Sequence, residues 1–289
     1  MNSKPQFLIT FCYSSDSDDA FMYWAIRNKI IDTSPFILKI QTGNTEDLNR
    51  LALSGTPDIC ALSIFAYGLI SDQYFLFPHS GSVGRNYGPV IVSKKNYTLD
   101  DLPNLLVAIP GENTTAHCLL KLLSPQTKTK VIPIIPFEGV LQAIEQGEVD
   151  AGLLIHEGLL LYSQRGLHLV SDLGRWWFQK TSLPLPLGGT VIKKGLGRKT
   201  ISFLSFCLRS SIKYALEHRE EVLQSIIRKE KRMTRSLHDQ KLIHTYLSLY
   251  ANEDTLDYGE DGRKAIQTFL NLTHEAGLLP KRVQVEFTP

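Results

Sequence analysis

The feature that most constrains this chain is an alternation of short apolar runs with amphipathic helical stretches, kept up for roughly the first 190 residues and then abandoned. Apolar runs at 7–13, 36–41, 58–62, 90–92, 105–109, 131–135, 151–155 and 190–192 have strand length. Helical patterns at 20–29, 45–54, 114–123 and 139–146 fall between them. Strands separated by helices predict an α/β fold whose parallel sheets carry helices on both faces. From residue 200 the pattern is helical alone, with one long amphipathic stretch to about 231 and two more at 239–250 and 262–274.

A polar link at 93–103 and the proline-punctuated run Leu183-Pro184-Leu185-Pro186-Leu187 interrupt this order. Each is an expected crossing between two lobes. Residues 1–95 and 188–289 then form a discontinuous first lobe, 96–187 form the second, and the cleft between them is the expected ligand site. A chain of 289 residues, 43% of them hydrophobic, can fill two cores.

The charge balance of 31 basic against 29 acidic residues leaves a net charge of +2. Such a chain has no broad field for nucleic acid or an anionic membrane, so neither is expected as a partner, and any bound anion must be recognised locally. Cys12, Cys60, Cys118 and Cys207 lie far apart with no CxxC pair. They read as buried thiols of a reducing cytosol, not as zinc ligands, and no metal is expected. The apolar run at 7–13 meets Asp16, Asp18 and Asp19 where a signal peptide would stay apolar. With no segment near the ~20 apolar residues of a membrane span, a cytoplasmic protein is expected, and its oligomeric state stays open.

Candidate chemistry sits at strand ends. Ile109-Pro110-Gly111-Glu112-Asn113-Thr114-Thr115-Ala116 reads as a strand end, a turn and a helix start, where unpaired amides and the helix dipole favour a carboxylate. Asn113 or Thr114 could equally cap that helix. Ser63 ends the run from Asp58 and is expected either to face the cleft or to cap the short helix carrying Tyr67. Gly81, Gly84 and Gly88 mark a backbone that turns sharply or approaches a ligand.

His156 is the sharpest single residue, because it ends the apolar run Ala151-Gly152-Leu153-Leu154-Ile155. A neutral imidazole there could take a proton near pH 7, although a satisfied core histidine is the commoner use of a lone His. The loop Ser14-Ser15-Asp16-Ser17-Asp18-Asp19 reads as a solvated turn in which Asp18 or Asp19 caps the next helix. Trp176, Trp177 and Phe178 suit apolar packing or stacking on an aromatic ligand. The basic stretch Arg228 to Arg235 reads as a solvated helix face.

Taken together and in order, these segments resemble the 1,4-dihydroxy-6-naphthoate synthase family of the futalosine route to menaquinone. The resemblance runs from Phe7 to about Leu279. It rests on Glu46-Asp47-Leu48-Asn49-Arg50-Leu51-Ala52-Leu53, Gly84 with Gly88-Pro89, and Pro110-Gly111 with Thr114-Thr115-Ala116. It continues through Gly147-Glu148-Val149-Asp150-Ala151-Gly152-Leu153 into Ile155-His156-Glu157, then Asp172-Leu173-Gly174 with Trp176, and Leu183 to Gly188.

The resemblance implies a two-lobed fold of the type 2 periplasmic-binding-protein kind. It implies a carbon–carbon lyase that splits cyclic de-hypoxanthinylfutalosine into 1,4-dihydroxy-6-naphthoate and a sugar-derived fragment. His156 matches the family's proton acceptor, and Ala61, Leu62, Ser63, Thr114, Thr115 and Ala116 match its ligand contacts. Aromatisation drives such a reaction, so no cofactor is expected; the implied partner is a small acidic aromatic substrate. A related family of the same architecture dehydrates chorismate, and a small-anion receptor without catalysis is a further alternative.

The chain also departs from the family. Where relatives carry a Ser-Pro-Cys-Pro-Asn-Asp-Thr-Phe loop it has Ser14-Ser15-Asp16-Ser17-Asp18-Asp19-Ala20-Phe21, which keeps the ends and Asp19. Where they carry a lysine it has Ala61. Asp19, Gly84 and Arg85 are expected at the site, with Arg85 the candidate replacement cation.

Overall fold

The structure is a computed structural model, and it describes residues 7–134, 138–229 and 240–289. Its strands are β1 (Phe7–Ser14), β2 (Phe36–Gly43), β3 (Ile59–Ser63), β4 (Tyr74–Leu76), β5 (Ser82–Gly84), β6 (Val90–Ser93), β7 (Leu106–Ile109), β8 (Lys128–Val131), β9 (Ala151–Leu154), β10 (His168–Asp172) and β11 (Leu185–Lys193). The helices are α1 (Ser17–Met22), α2 (Trp24–Arg27), α3 (Thr45–Leu53), α4 (Ile64–Ile70), α5 (Thr115–Leu123), α6 (Gly139–Gln146), α7 (Leu173–Thr181), α8 (Arg198–Glu217), α9 (Arg219–Lys229), α10 (Gln240–Tyr250), α11 (Glu253–Leu256) and α12 (Gly259–Glu275).

Two sheets organise the chain. The first runs β2-β1-β3-β11-β4, with β5 also paired to β11, and the second runs β10-β6-β9-β7-β8. Both are mixed, not parallel as the strand–helix alternation predicts: β11 pairs antiparallel with β3, and β6 pairs antiparallel with β9 and β10. The strands that reverse direction are those that follow a crossing from one sheet to the other. Alternation along β1 and β3 still sorts side chains to two faces. Cys12, Cys60 and Leu62 join a core with α3, α4 and α12, whereas Phe11, Tyr13, Ile59 and Ala61 pack with Met22 and Tyr23 against Leu204 and Leu208 of α8.

The crossings differ from those expected. β6 pairs inside the second sheet, so the chain has already left the first sheet before Val90, five residues ahead of the boundary expected at 95. The 93–103 stretch joins β6 to β7 within one sheet. It is polar because it is a surface turn, where Thr98 and Asp101 form a capping box. The return lies ahead of Leu185, because the Leu-Pro-Leu run forms the first part of β11.

At the first crossing, glycine is needed for backbone approach. A Cβ on Gly174 would lie 2.0 Å from the Tyr87 carbonyl, and one on Gly84 would lie 2.1 Å from the same oxygen.

Other expectations shift locally. β8 starts at Lys128, ahead of the 131–135 run, whose Ile135 lies outside the described residues. The long helix from 200 breaks at His218 into α8 and α9. Most of the basic Arg228–Arg235 stretch lies outside the described residues. Trp177 is buried, packs on Phe269 and donates its indole N–H to the Pro184 carbonyl, so it serves the core. All four cysteines are buried and none is disulfide-bonded. Among the described residues, no helix is long and apolar enough to cross a membrane.

Candidate functional site

The carboxyl ends of β1 and β3 from one sheet, and of β7 and β9 from the other, converge on a cleft of about 750 Å³ that opens to solvent. Of the residues singled out from sequence, His156, Ala61, Leu62, Ser63, Thr114, Thr115, Ala116 and Asp19 all line it. Gly84 and Arg85 do not. Gly84 is used for the close approach to Tyr87, and Arg85 is held outside by Asp254 at 2.6 Å and Asp261 at 2.7 Å. Among the described residues the lining contains no lysine or arginine.

One wall is the start of α5. Thr114 is its N-cap, accepting from the His117 amide at 3.2 Å, which resolves the choice between Asn113 and Thr114. Asn113 is drawn off instead, its amide group donating to Glu46 at 2.7 Å. The Thr115 hydroxyl donates to the Leu187 carbonyl at 2.7 Å and accepts from the Phe65 amide at 3.3 Å, so it ties α5 to the other sheet. The first-turn amides of Thr115 and Ala116 have no intrahelical acceptor and lie where the dipole favours an anion. Ser63 donates its backbone amide to the Asn49 side-chain oxygen at 2.9 Å and accepts from the Asn49 amide group at its hydroxyl at 3.2 Å, which fixes the end of β3.

The opposite wall carries the titratable groups. The acidic loop is buried, not solvated: Asp16, Ser17, Asp18 and Asp19 are all covered by the second sheet's loops and α10. Asp16, not Asp18 or Asp19, occupies the N-cap position of α1, and it makes no side-chain cap. Its carboxylate instead meets Nδ1 of His156 at 2.7 Å. The other ring nitrogen, Nε2, lies 2.9 Å from the Thr45 hydroxyl at the start of α3. Next along the chain, buried Glu157 accepts from the Ser17 amide at 3.2 Å and from the Ser17 hydroxyl. His156 itself sits at φ 52°, a left-handed conformation that a non-glycine residue holds only when its surroundings impose it.

Electrostatics follow from this packing. Burial opposes a charge on His156, yet the charge and hydrogen bond of Asp16, with Asp18 and Glu157 nearby, outweigh it and raise the ring to about 9. Burial pushes Asp16 up, but the facing imidazolium more than reverses that and holds it below the usual carboxylate range. Asp18 and Asp19 go the other way: burial first, and then the Asp16 charge, raise both well above it. The pair is therefore imidazolium and carboxylate at neutral pH.

Oxygen and nitrogen atoms of Asp16, Asp18 and His156 lie within 4.8 Å of one another, a spacing that could hold a metal ion. Both ring nitrogens and both Asp18 oxygens already face protein partners, with Ser82 at 2.5 Å and Tyr246 at 3.4 Å on Asp18.

Several lining residues were not found from sequence: Asp16, Asp18, Thr45, Tyr246 and Tyr250. The two tyrosines project from α10 one turn apart, with ring centroids 4.9 Å from each other. Their i, i+4 spacing was the available signal.

A family model described as menaquinone biosynthesis matches residues 9–275. The chain belongs to that family. It is 35% identical over 92% of its length to a 1,4-dihydroxy-6-naphthoate synthase of Thermus thermophilus, covering 94% of that protein. It is 30% identical to the synthase of Streptomyces coelicolor, covering 94% of this chain and 95% of the relative. A crystal structure from Archaeoglobus fulgidus, 33% identical, superposes with a TM-score of 0.86 over 94% of this chain and 98% of the other. The alkanesulfonate-binding protein of Xanthomonas axonopodis, 14% identical, gives a TM-score of 0.69 over 98% of each chain and shows the fold alone. The two-lobed, periplasmic-binding-protein-like architecture expected from sequence is thus the family's, and its named members are enzymes of menaquinone biosynthesis.

Proposed function

We propose that this chain is a 1,4-dihydroxy-6-naphthoate synthase, a lyase that cleaves cyclic de-hypoxanthinylfutalosine with His156 as general base. The observation that carries the reading is the meeting of His156 and the α5 N-terminus in one cleft. The first-turn amides of Thr115 and Ala116 hold the aryl carboxylate. The ring takes a proton from the bound substrate as a carbon–carbon bond breaks and the product becomes aromatic. Positioning plus one base suffices without a cofactor, since general-base catalysis is worth about 10² to 10⁴ in rate.

A base must be neutral to act. With the ring titrating at about 9, the unliganded site is mostly imidazolium at pH 7 and the reaction draws on a minor neutral form. That form is correspondingly the stronger base. Incubation with the cyclic substrate tests the reading, because a receptor without chemistry returns it unchanged. Offering the same protein chorismate tests the dehydratase alternative.

A further inference from the structure

We propose that Asp16 is a positioning residue for this reaction: its carboxylate accepts the Nδ1 proton of His156, which leaves Nε2, on the cleft wall beside Thr45, as the nitrogen that takes the substrate proton. The proposal rests on the reading of His156 as base, but it concerns a different residue.

The geometry is specific. Asp16 comes from the first sheet's β1–α1 turn and His156 from the second sheet's β9 end, and the two meet at 2.7 Å. Asp16 is 2% exposed, so little water competes for the bond. Asp16 also declines the role its position offers, since an N-cap Asp ordinarily accepts from its own helix and this one does not. A second tie one residue on, from Ser17 to Glu157, holds the same turn against the same strand end. The two ties hold the turn in which His156 keeps its left-handed backbone.

A carboxylate on one imidazole nitrogen fixes the tautomer and stabilises the imidazolium that forms. During turnover the proton goes from substrate carbon to Nε2, while the Nδ1 proton stays on the ring and Asp16 remains ionised. Charged groups around the ring include Asp16 and Asp18 from the turn and α1 and Glu157 from its own turn, and Tyr246 of α10 reaches Asp18. Asp16 forms an ion pair with it.

The test is histidine NMR combined with pH profiles of kcat and KM in Asp16→Asn, Asp16→Glu and His156→Asn. In Asp16→Asn the His156 ring titrates below 7 instead of near 9, kcat falls about 10² to 10⁴ with little change in KM, and the rising acid limb of kcat/KM, which follows deprotonation of the base, moves to lower pH. Asp16→Glu restores part of the rate and the raised titration. In the wild-type protein above pH 10 the neutral ring carries its proton on Nδ1, which can be read even if Asp16→Asn does not fold. Unchanged titration in Asp16→Asn, or a neutral wild-type ring protonated on Nε2, overturns the proposal. Near-normal turnover in His156→Asn overturns the base reading itself, whatever Asp16 does.

Discussion

The Asp16 carboxylate and the His156 imidazole, 140 residues apart in the chain, close on each other at 2.7 Å across the cleft. One belongs to the turn after the first strand of one sheet, the other to the end of a central strand of the second. The bond therefore joins the lobes and sets the charge state of the only basic side chain among the described residues of the cleft lining.

Stability of the substrate-free protein should fall at alkaline pH. His156 is raised from 6.5 to about 9, so its contribution is fully present below pH 6.5 and is lost as pH rises through about 9. Its size is on the order of 3 kcal/mol. Asp18 and Asp19, also raised, act in the same direction, whereas Asp16, held low, loses its contribution only as pH falls into the acid range. Thermal unfolding between pH 6 and 10 should show a falling midpoint, with a shallower fall in His156→Asn. A midpoint constant over that range contradicts the ion pair.

Arg85→Ala should leave KM within about twofold of wild type, because the guanidinium is committed to Asp254 and Asp261 outside the cleft. Steady-state kinetics decide this. A large rise in KM would return Arg85 to the site.

Tyr250 lines the cleft with a buried hydroxyl that has no hydrogen-bond partner among the described residues. A ligand that supplies one would make Tyr250→Phe raise KM about 2- to 10-fold, while the unliganded variant unfolds at or above the wild-type temperature. Unchanged KM would mean that the hydroxyl reads nothing on the substrate.

Gly174→Ala should destabilise by about 3 kcal/mol or more, since its Cβ would fall 2.0 Å from the Tyr87 backbone at the crossing between sheets. Chemical denaturation measures it. A loss below about 1 kcal/mol would show that the crossing yields easily.

Local signals carried much of the fold. α6 lies at the predicted 139–146, and α3 and α5 lie within a residue of prediction, because Asn44 and Thr114 cap their starts and Gly147 ends α6 in a left-handed turn. The place of His156 and the Thr114-Thr115-Ala116 turn on the cleft was legible from a strand end and a helix start, but it took the family resemblance to set them above a core histidine and a helix cap. Strand direction was not: whether β6 or β11 runs parallel depends on which sheet it enters, a tertiary matter. Nor was the acidic loop, whose composition is that of a solvated turn until the second sheet and α10 cover it. The role of Asp16 emerges only when two segments far apart in sequence are brought together.

The central claim is that His156 takes the proton in this cleft, and the direct measurement is incubation of wild-type protein and His156→Asn with cyclic de-hypoxanthinylfutalosine, following naphthoate fluorescence and ligand binding together. Wild type should form the fluorescent product, and His156→Asn should bind the substrate and return it intact. Unaltered substrate from the wild-type protein, or product formed by His156→Asn at near the wild-type rate, would contradict it.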